Sequence, residues 1–254
     1  MVYSVRLWCR GARCTPYTLS HPHPAREEPM STDRRLALWA GIAYLVTFVT
    51  SIPALALKTP LLESGAEPGL AAWGLVLEIT LAFSCVATAV LLLPIARRVS
   101  QTLAVGFVAS RTVEAGMILS GVLPVMALIA LGRDNAMSPA LVELHDAAFL
   151  LGPAFMSAVN ALLLGTVMLR GRLVPRIIPT IGLIGGPLLL LSSYGVVLGL
   201  WEQTGTVGAV AALPIAVWEF SLGVWLIVKG VRLPAAPLEG ARGGGASAPA
   251  VVGR

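Results

Sequence analysis

The chain has 254 residues, of which 56% are hydrophobic and only 12% are charged, and its formal net charge is +5. Soluble domains carry about 25% charged residues, so this composition excludes an ordinary soluble protein and predicts an integral membrane protein. The positive charge does not indicate nucleic acid binding, because the basic residues recur in short clusters between apolar runs and form no single patch.

The first 33 residues contain no apolar run of the length that a signal peptide requires. We expect residues 1–33 to be a disordered tail. Met30 begins a short polar stretch with Arg34 and Arg35 just ahead of the first apolar run, which favours Met30 as the true translation start. The alternative is that residues 1–29 form a genuine cytoplasmic tail.

Six apolar runs follow, each near or above the roughly 20 residues that cross a bilayer as a helix. They are residues 36–57, 70–96, 103–131, 141–169, 177–200 and 207–228. The predicted fold class is therefore an all-α, polytopic bundle of six transmembrane helices within residues 34–232. Residues 233–254 are rich in Pro, Gly and Ala, and we expect them to be a disordered tail.

The distribution of Lys and Arg between these runs predicts the orientation. Nine basic residues lie in the connections on one side, whereas only Lys58 and Arg133 lie on the other. Because cytoplasmic loops are enriched in Lys and Arg, we expect both termini to be cytoplasmic. Abundant Ala and Gly and a preference for Arg over Lys suggest a GC-rich bacterial genome, so the predicted location is the bacterial cytoplasmic (inner) membrane, as a multi-pass protein.

Three charged residues fall in the central part of the predicted spans: Arg111 and Glu114 in the stretch ASRTVEAGMIL, and Glu219 in the sixth run. Ionisable groups in a bilayer usually face the bundle interior and have a partner. Arg111 and Glu114 share a helix face at a spacing of three, and Glu219 lies at a similar depth. We predict an intramembrane polar core, which is either a structural ion pair, a proton or substrate relay, or the lining of a water-filled vestibule.

A second polar group is predicted toward the outer side and comprises Glu78, Glu143, His145 and Asp146. Glu143 and Asp146 share a face, whereas His145 points roughly 100° away from Asp146 on an ideal helix. We expect Glu143 at a solvated rim, with His145 and Asp146 a few ångströms deeper. The spacing matches no closed ligand pattern, so no metal site is predicted.

The sequence contains no GxSxG, P-loop or dinucleotide motif. No catalytic residue and no cofactor are therefore predicted. Cys9 and Cys14 lie in the N-terminal stretch and Cys85 lies within an apolar run, and we expect neither a structural disulfide nor a thiolate metal site.

Four segments carry a family resemblance, and they are RRLALWAGIAYLVTFVTSIPAL, ASRTVEAGMI, LRGRLVPRIIPTIGLIGG and EFSLGVWLIVKGVR. In this order they resemble the bacterial integral membrane family catalogued as domain of unknown function 4386. The resemblance covers residues 34–232 and implies six helices, a membrane location and no assigned activity. The family's pattern of an Arg with a nearby acid in the third helix, a basic loop after the fourth and a Glu near the end is matched by Arg111 with Glu114, by residues 174–176, and by Glu219.

These observations favour a non-enzymatic membrane protein, carrier-like or accessory and structural, with an intramembrane polar core. The alternative is an intramembrane enzyme that acts on a lipid or a quinone near the outer leaflet through His145 and Asp146. A third hypothesis is a structural bundle whose membrane-protein partner carries the activity. The expected partners are the lipid bilayer and either a membrane protein or a second copy of the chain, and no nucleic acid is expected.

Overall fold

The structure is a computed structural model that describes residues 30–232 and the short segments 7–9 and 14–16. In the N-terminal unit, strand β1 (Leu7–Cys9) pairs antiparallel with strand β2 (Cys14–Pro16). The remainder of the predicted tails, in residues 1–29 and 233–254, lies outside the described residues. The second unit begins with a helix at Thr32, one residue before the predicted end of the tail.

From Thr32 onward the described chain is helical apart from its connections. Its elements are α1 (Thr32–Ser64), α2 (Pro68–Ala96), α3 (Gln101–Leu131), α4 (Ser138–Phe149), a π-helical segment (Leu150–Met156), α5 (Ser157–Arg170), α6 (Ile177–Val197) and α7 (Thr206–Val228). Six helical stretches are long and apolar enough to cross a membrane. The prediction of an all-α fold with six spans is confirmed, and the chain is a multi-pass membrane protein.

The first span is longer than predicted. The apolar run was expected to end at residue 57 with Lys58 in an outer loop, but α1 continues to Ser64 and Lys58 is fully buried inside it. The assignment of Lys58 to a loop was wrong because a buried carboxylate, Glu78 of α2, pairs with its ammonium group. An ion pair of this kind lets a helix continue past a charged residue without leaving the charge unpaired.

The fourth span, Ser138–Arg170, is not a uniform α-helix as the apolar run had suggested. Its centre is the π-helical segment Leu150–Met156, which contains Pro153. Proline has no N–H to donate to the preceding turn, and a π-helical turn, with bonds from i to i+5, is wider than an α-helical one. The segment packs closely on α3, since a Cβ at Gly152 would lie 2.8 Å from Cβ of Met117.

The start of α1 and the end of α7 lie next to each other at the same end of the helix bundle. The Arg34 guanidinium donates to the carbonyls of Leu226 and Ile227, at the end of α7. Arg98 forms two hydrogen bonds with the Asp33 carboxylate, at 2.8 and 2.9 Å, and hydrogen bonding to Asp33 raises the pKa of Arg98. This end of the bundle carries the basic connections and is predicted to be cytoplasmic.

The half of the bundle next to that end is densely packed. Its core contains fully buried large side chains from five of the six spans, including Leu92, Phe107, Leu164, Trp218 and Leu222. Small residues bring helices close together there, and a Cβ at Gly41 of α1 would lie only 2.7 Å from the carbonyl oxygen of Gly223 of α7. The predicted outer half is looser, and it contains the cavities described next.

Candidate functional site: a polar cavity inside the bundle

A cavity of about 290 Å³ lies among α1, α2, α3, the π-helical segment, α5, α6 and α7. Most of its lining is apolar. The ionisable residues that line it are Glu78, Arg111, Glu114, Cys85 and Glu219. The predicted polar core therefore surrounds a space large enough for a small molecule.

Arg111 lies at the centre of the polar core and is 1% exposed. Its Nη1 donates to Oε2 of Glu114 over 2.6 Å, and its Nε donates to Oγ1 of Thr88 over 3.3 Å. The guanidinium carbon also lies 5.3 Å from the centre of the Tyr44 ring, within the range of a cation–π interaction. Three helices thus hold this charge in place.

Glu114 is the most fully bonded carboxylate of the cavity. Besides Arg111, its Oε1 accepts a hydrogen bond from Ser157 over 2.9 Å and its Oε2 accepts one from Asn160 over 2.7 Å. Both donors belong to α5, just beyond the π-helical segment. Through these bonds Glu114 pairs with Arg111 and connects α3 to α5.

Glu219 is held differently. Its Oε1 lies 3.2 Å from Nη2 of Arg111, and its side chain is 18% exposed, against 5% for Glu114. Nη2 of Arg111 has no hydrogen bond with acceptable geometry to any described residue. The structure thus brings together Arg111, Glu114 and Glu219, and it leaves Glu219 as the member with free bonding capacity toward the cavity.

The predicted outer cluster separates into two parts. Glu78 and His145 are buried and lie on either side of Lys58, whose Nζ donates to Oε1 of Glu78 and lies 3.2 Å from Nε2 of His145. Nδ1 of His145 lies 2.9 Å from the carbonyl oxygen of Gly121. A carbonyl only accepts hydrogen bonds, so Nδ1 carries the proton and Nε2 accepts from Lys58.

Glu143 and Asp146 do not join that cluster. Both are exposed, and both line a second cavity of about 640 Å³ at the predicted outer end, which we call the vestibule. Asp146 is exposed on one face of α4, whereas His145 is buried and faces α3. Leu55 and Phe149 line both the vestibule and the central cavity, so the two spaces are neighbours.

Sequence reasoning missed Lys58 as a member of the site. Its burial was hidden because Pro60, two residues after Lys58, is a residue that ends or bends helices, whereas α1 continues past it to Ser64. Tyr44 and Thr88 were also missed, since a Tyr or Thr in an apolar run gives no indication of what it contacts. Across residues 30–232, no three His, Cys, Asp or Glu side chains lie together in a way that could hold a metal ion.

Comparison with known proteins identifies the family of the chain. The model of a family described as domain of unknown function (DUF4386) matches residues 39–230. The chain belongs to the DUF4386 family. The match falls inside residues 34–232, the range that the resemblance covers. It includes every residue named above as part of the central cavity or its polar core. No curated protein and no solved structure matches the chain.

Proposed function

We propose that this protein is a non-enzymatic carrier of the bacterial cytoplasmic membrane whose central cavity binds a small, largely apolar organic cation. The observation that carries the proposal is the charge balance around the cavity. Three carboxylates, Glu78, Glu114 and Glu219, are matched by only two cations, Lys58 and Arg111. When all five are ionised, the site has one negative charge in excess, and a buried charge is costly unless it is paired.

Glu219 is the carboxylate that a ligand would neutralise. Glu78 pairs with Lys58, and Glu114 has Arg111 and two uncharged donors. Of the three carboxylates, Glu219 has the most exposed side chain. Its charged neighbour is Arg111, and the two do not form a well-aligned hydrogen bond. An ammonium group placed in the cavity would supply the missing positive charge.

The size and lining of the cavity indicate what kind of group is attached to the ammonium group of the ligand. Binding sites for small molecules commonly enclose about 300–1,000 Å³ and are lined mainly by apolar side chains with a few polar groups. The cavity of about 290 Å³ lies at the lower limit of that range. Its apolar walls, which include Phe48, Leu81 and Ile215, favour a hydrocarbon body next to the charged group.

The packing of the two halves of the bundle supports a carrier. The cavity adjoins the vestibule at the predicted outer end, whereas the cytoplasmic half is filled by the core around Trp218 and Phe107. Carriers bind their substrates near the middle of the membrane and expose the site to one side at a time. This arrangement corresponds to a state that faces outward.

The alternative of an enzyme that acts on a lipid or a quinone relied on His145 and Asp146 as a pair. His145 is engaged by Lys58 and the Gly121 carbonyl, and Asp146 faces the vestibule. No observation in the described residues favours a reaction over binding, and we therefore prefer the carrier.

A binding measurement tests the proposal. Full-length protein in lipid nanodiscs is titrated with radiolabelled butylammonium, and saturable binding is expected. Glu219→Gln should weaken binding by on the order of tenfold or more, because it removes the excess charge. Glu143→Gln, an isosteric change at the vestibule, is the matched control and should have little effect. Absence of saturable binding, or equal effects of both variants, would overturn the proposal.

A further inference from the structure

The contact between α1 and α7 changes in character along its length. Near the cytoplasmic end the two helices touch through Gly41 and Gly223, with backbone atoms in direct proximity. Further along, the rings of Phe48 of α1 and Phe220 of α7 are in contact, with their centres 5.3 Å apart. We call this line of contact between α1 and α7 the seam. Up to this point the two helices are in direct contact.

Beyond the phenylalanines, toward the predicted outer end, the same seam is lined by smaller side chains. The central cavity reaches it through Ile52 and Leu55 of α1 and Ala212 and Ala216 of α7. Ile52 is 59% exposed and Leu55 37% exposed, so residues that line the cavity also belong to the outer surface of the bundle. We call these four residues the α1/α7 window.

The inner part of the window faces hydrocarbon, and its outer edge at Leu55 borders the vestibule. Ala216 lies thirteen residues before Lys229, which at 1.5 Å per residue is roughly 20 Å and therefore within the apolar thickness of about 30 Å of a bilayer. All four window residues are apolar, so none of them would retain water. The neighbouring lipid-facing residues of α7, Leu213 and Val217, are 62% and 44% exposed.

We infer that the ligand of this cavity is a single-chain cationic amphiphile of the membrane, whose ammonium head lies beside Glu219 and whose alkyl tail lies in the α1/α7 window. The inference rests on the proposed function and names the substrate class for that same site. Charge complementarity selects the head group, because the cavity has one carboxylate in excess. Continuity of the cavity with the lipid-facing surface selects the tail, because an apolar window at this depth is a path for a hydrocarbon chain.

A buried carboxylate oxygen supports a ligand that donates hydrogen bonds. Oε2 of Glu78 is buried without a hydrogen bond to any described residue, and the Glu78 side chain lines the cavity. Unpaired buried polar atoms are costly, and an ammonium head with several N–H groups supplies the donor that this oxygen lacks.

The test compares two chain lengths in the same nanodiscs. Affinities for butylammonium and dodecylammonium are measured in the parent protein and in Ile52→Trp, which narrows the window at an exposed position where folding is not at risk. A bulky side chain that displaces two or more methylenes from the window should weaken dodecylammonium binding by about tenfold or more. Butylammonium, which is too short to extend through the window, should bind within about twofold of the parent value.

A second window variant and a control make the result specific. Ala216→Leu should reproduce the selective loss of dodecylammonium. Leu213→Trp places the same bulk on the lipid-facing side of α7 and should change neither affinity. Because all variants share the same lipid, partitioning of the long amine into the bilayer cancels in the comparison.

The outcomes separate this inference from the proposed function. If both amines bind in a manner that depends on Glu219, but window variants affect them equally or not at all, the amphiphile is excluded and the cation carrier stands. If neither amine binds in that manner, the carrier proposal and the amphiphile fail together. Selective loss of the long amine supports both.

Discussion

Arg111 donates a hydrogen bond of 2.6 Å to Glu114 on its own helix, whereas Glu219 of α7 lies 3.2 Å away without a well-formed hydrogen bond. The two carboxylates therefore differ in how much of the structure depends on them. Glu114 connects α3 to α5 through Ser157 and Asn160. Glu219 retains capacity for a ligand.

The first prediction is an order of stability for single substitutions. Glu114→Gln should reduce the free energy of unfolding by about 3 kcal/mol, because it removes the buried carboxylate that pairs with Arg111 and places an amide next to the Asn160 side chain. Glu219→Gln should reduce the free energy of unfolding by no more than about 1 kcal/mol, because Arg111 remains paired with Glu114. Unfolding in detergent micelles measures both. Equal losses would show that Glu219 is a structural counter-ion and not a ligand group.

The sequence was sufficient for the number of helices and for the grouping of Arg111, Glu114 and Glu219. Both follow from the cost of charge in hydrocarbon, which applies wherever the helices pack. The partners of each charge did not follow, because they depend on which helices are neighbours. Lys58 shows this most clearly, since its burial depends on Glu78 of the adjacent helix.

The π-helical segment explains why His145 and Ser157 both face α3, which could not be predicted from the sequence. His145 and Ser157 are twelve residues apart, and at 100° per residue an unbroken α-helix would place them about 120° apart. The wider π-helical turn takes up roughly one extra residue, which brings both side chains to the face that contacts α3. Pro153 gave a reason to expect an irregularity but not its kind.

A second prediction concerns the close approach of α1 and α7. Gly41→Ala should destabilise the protein, because the added Cβ would meet the Gly223 carbonyl at 2.7 Å and Ile227 at 2.8 Å. Gly116 is the matched control, since it also lies inside a helix but has open space around its position. Gly116→Ala should be neutral or stabilising by roughly 0.5–1 kcal/mol through helix propensity. Similar melting temperatures for the two variants would disprove the tight seam.

A third prediction is the orientation in the membrane. Reporter fusions after Arg98, Arg172 and Arg232 should read as cytoplasmic, because those connections contain most of the basic residues. Fusions at Asn135 and Gln203 should read as external. The hydrogen bonds of Arg34 and of Arg98 place the basic connections on one face, so one reversed reporter would contradict both the charge rule and the packing.

The last prediction concerns the pair between Lys58 and Glu78. Lys58→Met should be strongly destabilising, by on the order of 3–5 kcal/mol, because it leaves the Glu78 carboxylate buried without a counter-charge. Lys58→Met combined with Glu78→Leu should recover most of that loss, since no charge is then left uncompensated. The exposed pair of Arg98 and Asp33, with side chains 51% and 25% exposed, provides the control.

Breaking that surface pair with Arg98→Met should cost no more than about 1 kcal/mol. Denaturation of these three variants and of Glu78→Leu alone in the same detergent gives the comparison. Rescue in the double variant would identify the pair as a structural support of the cavity wall. Additive losses in the double variant would show that Lys58 and Glu78 stabilise the bundle separately.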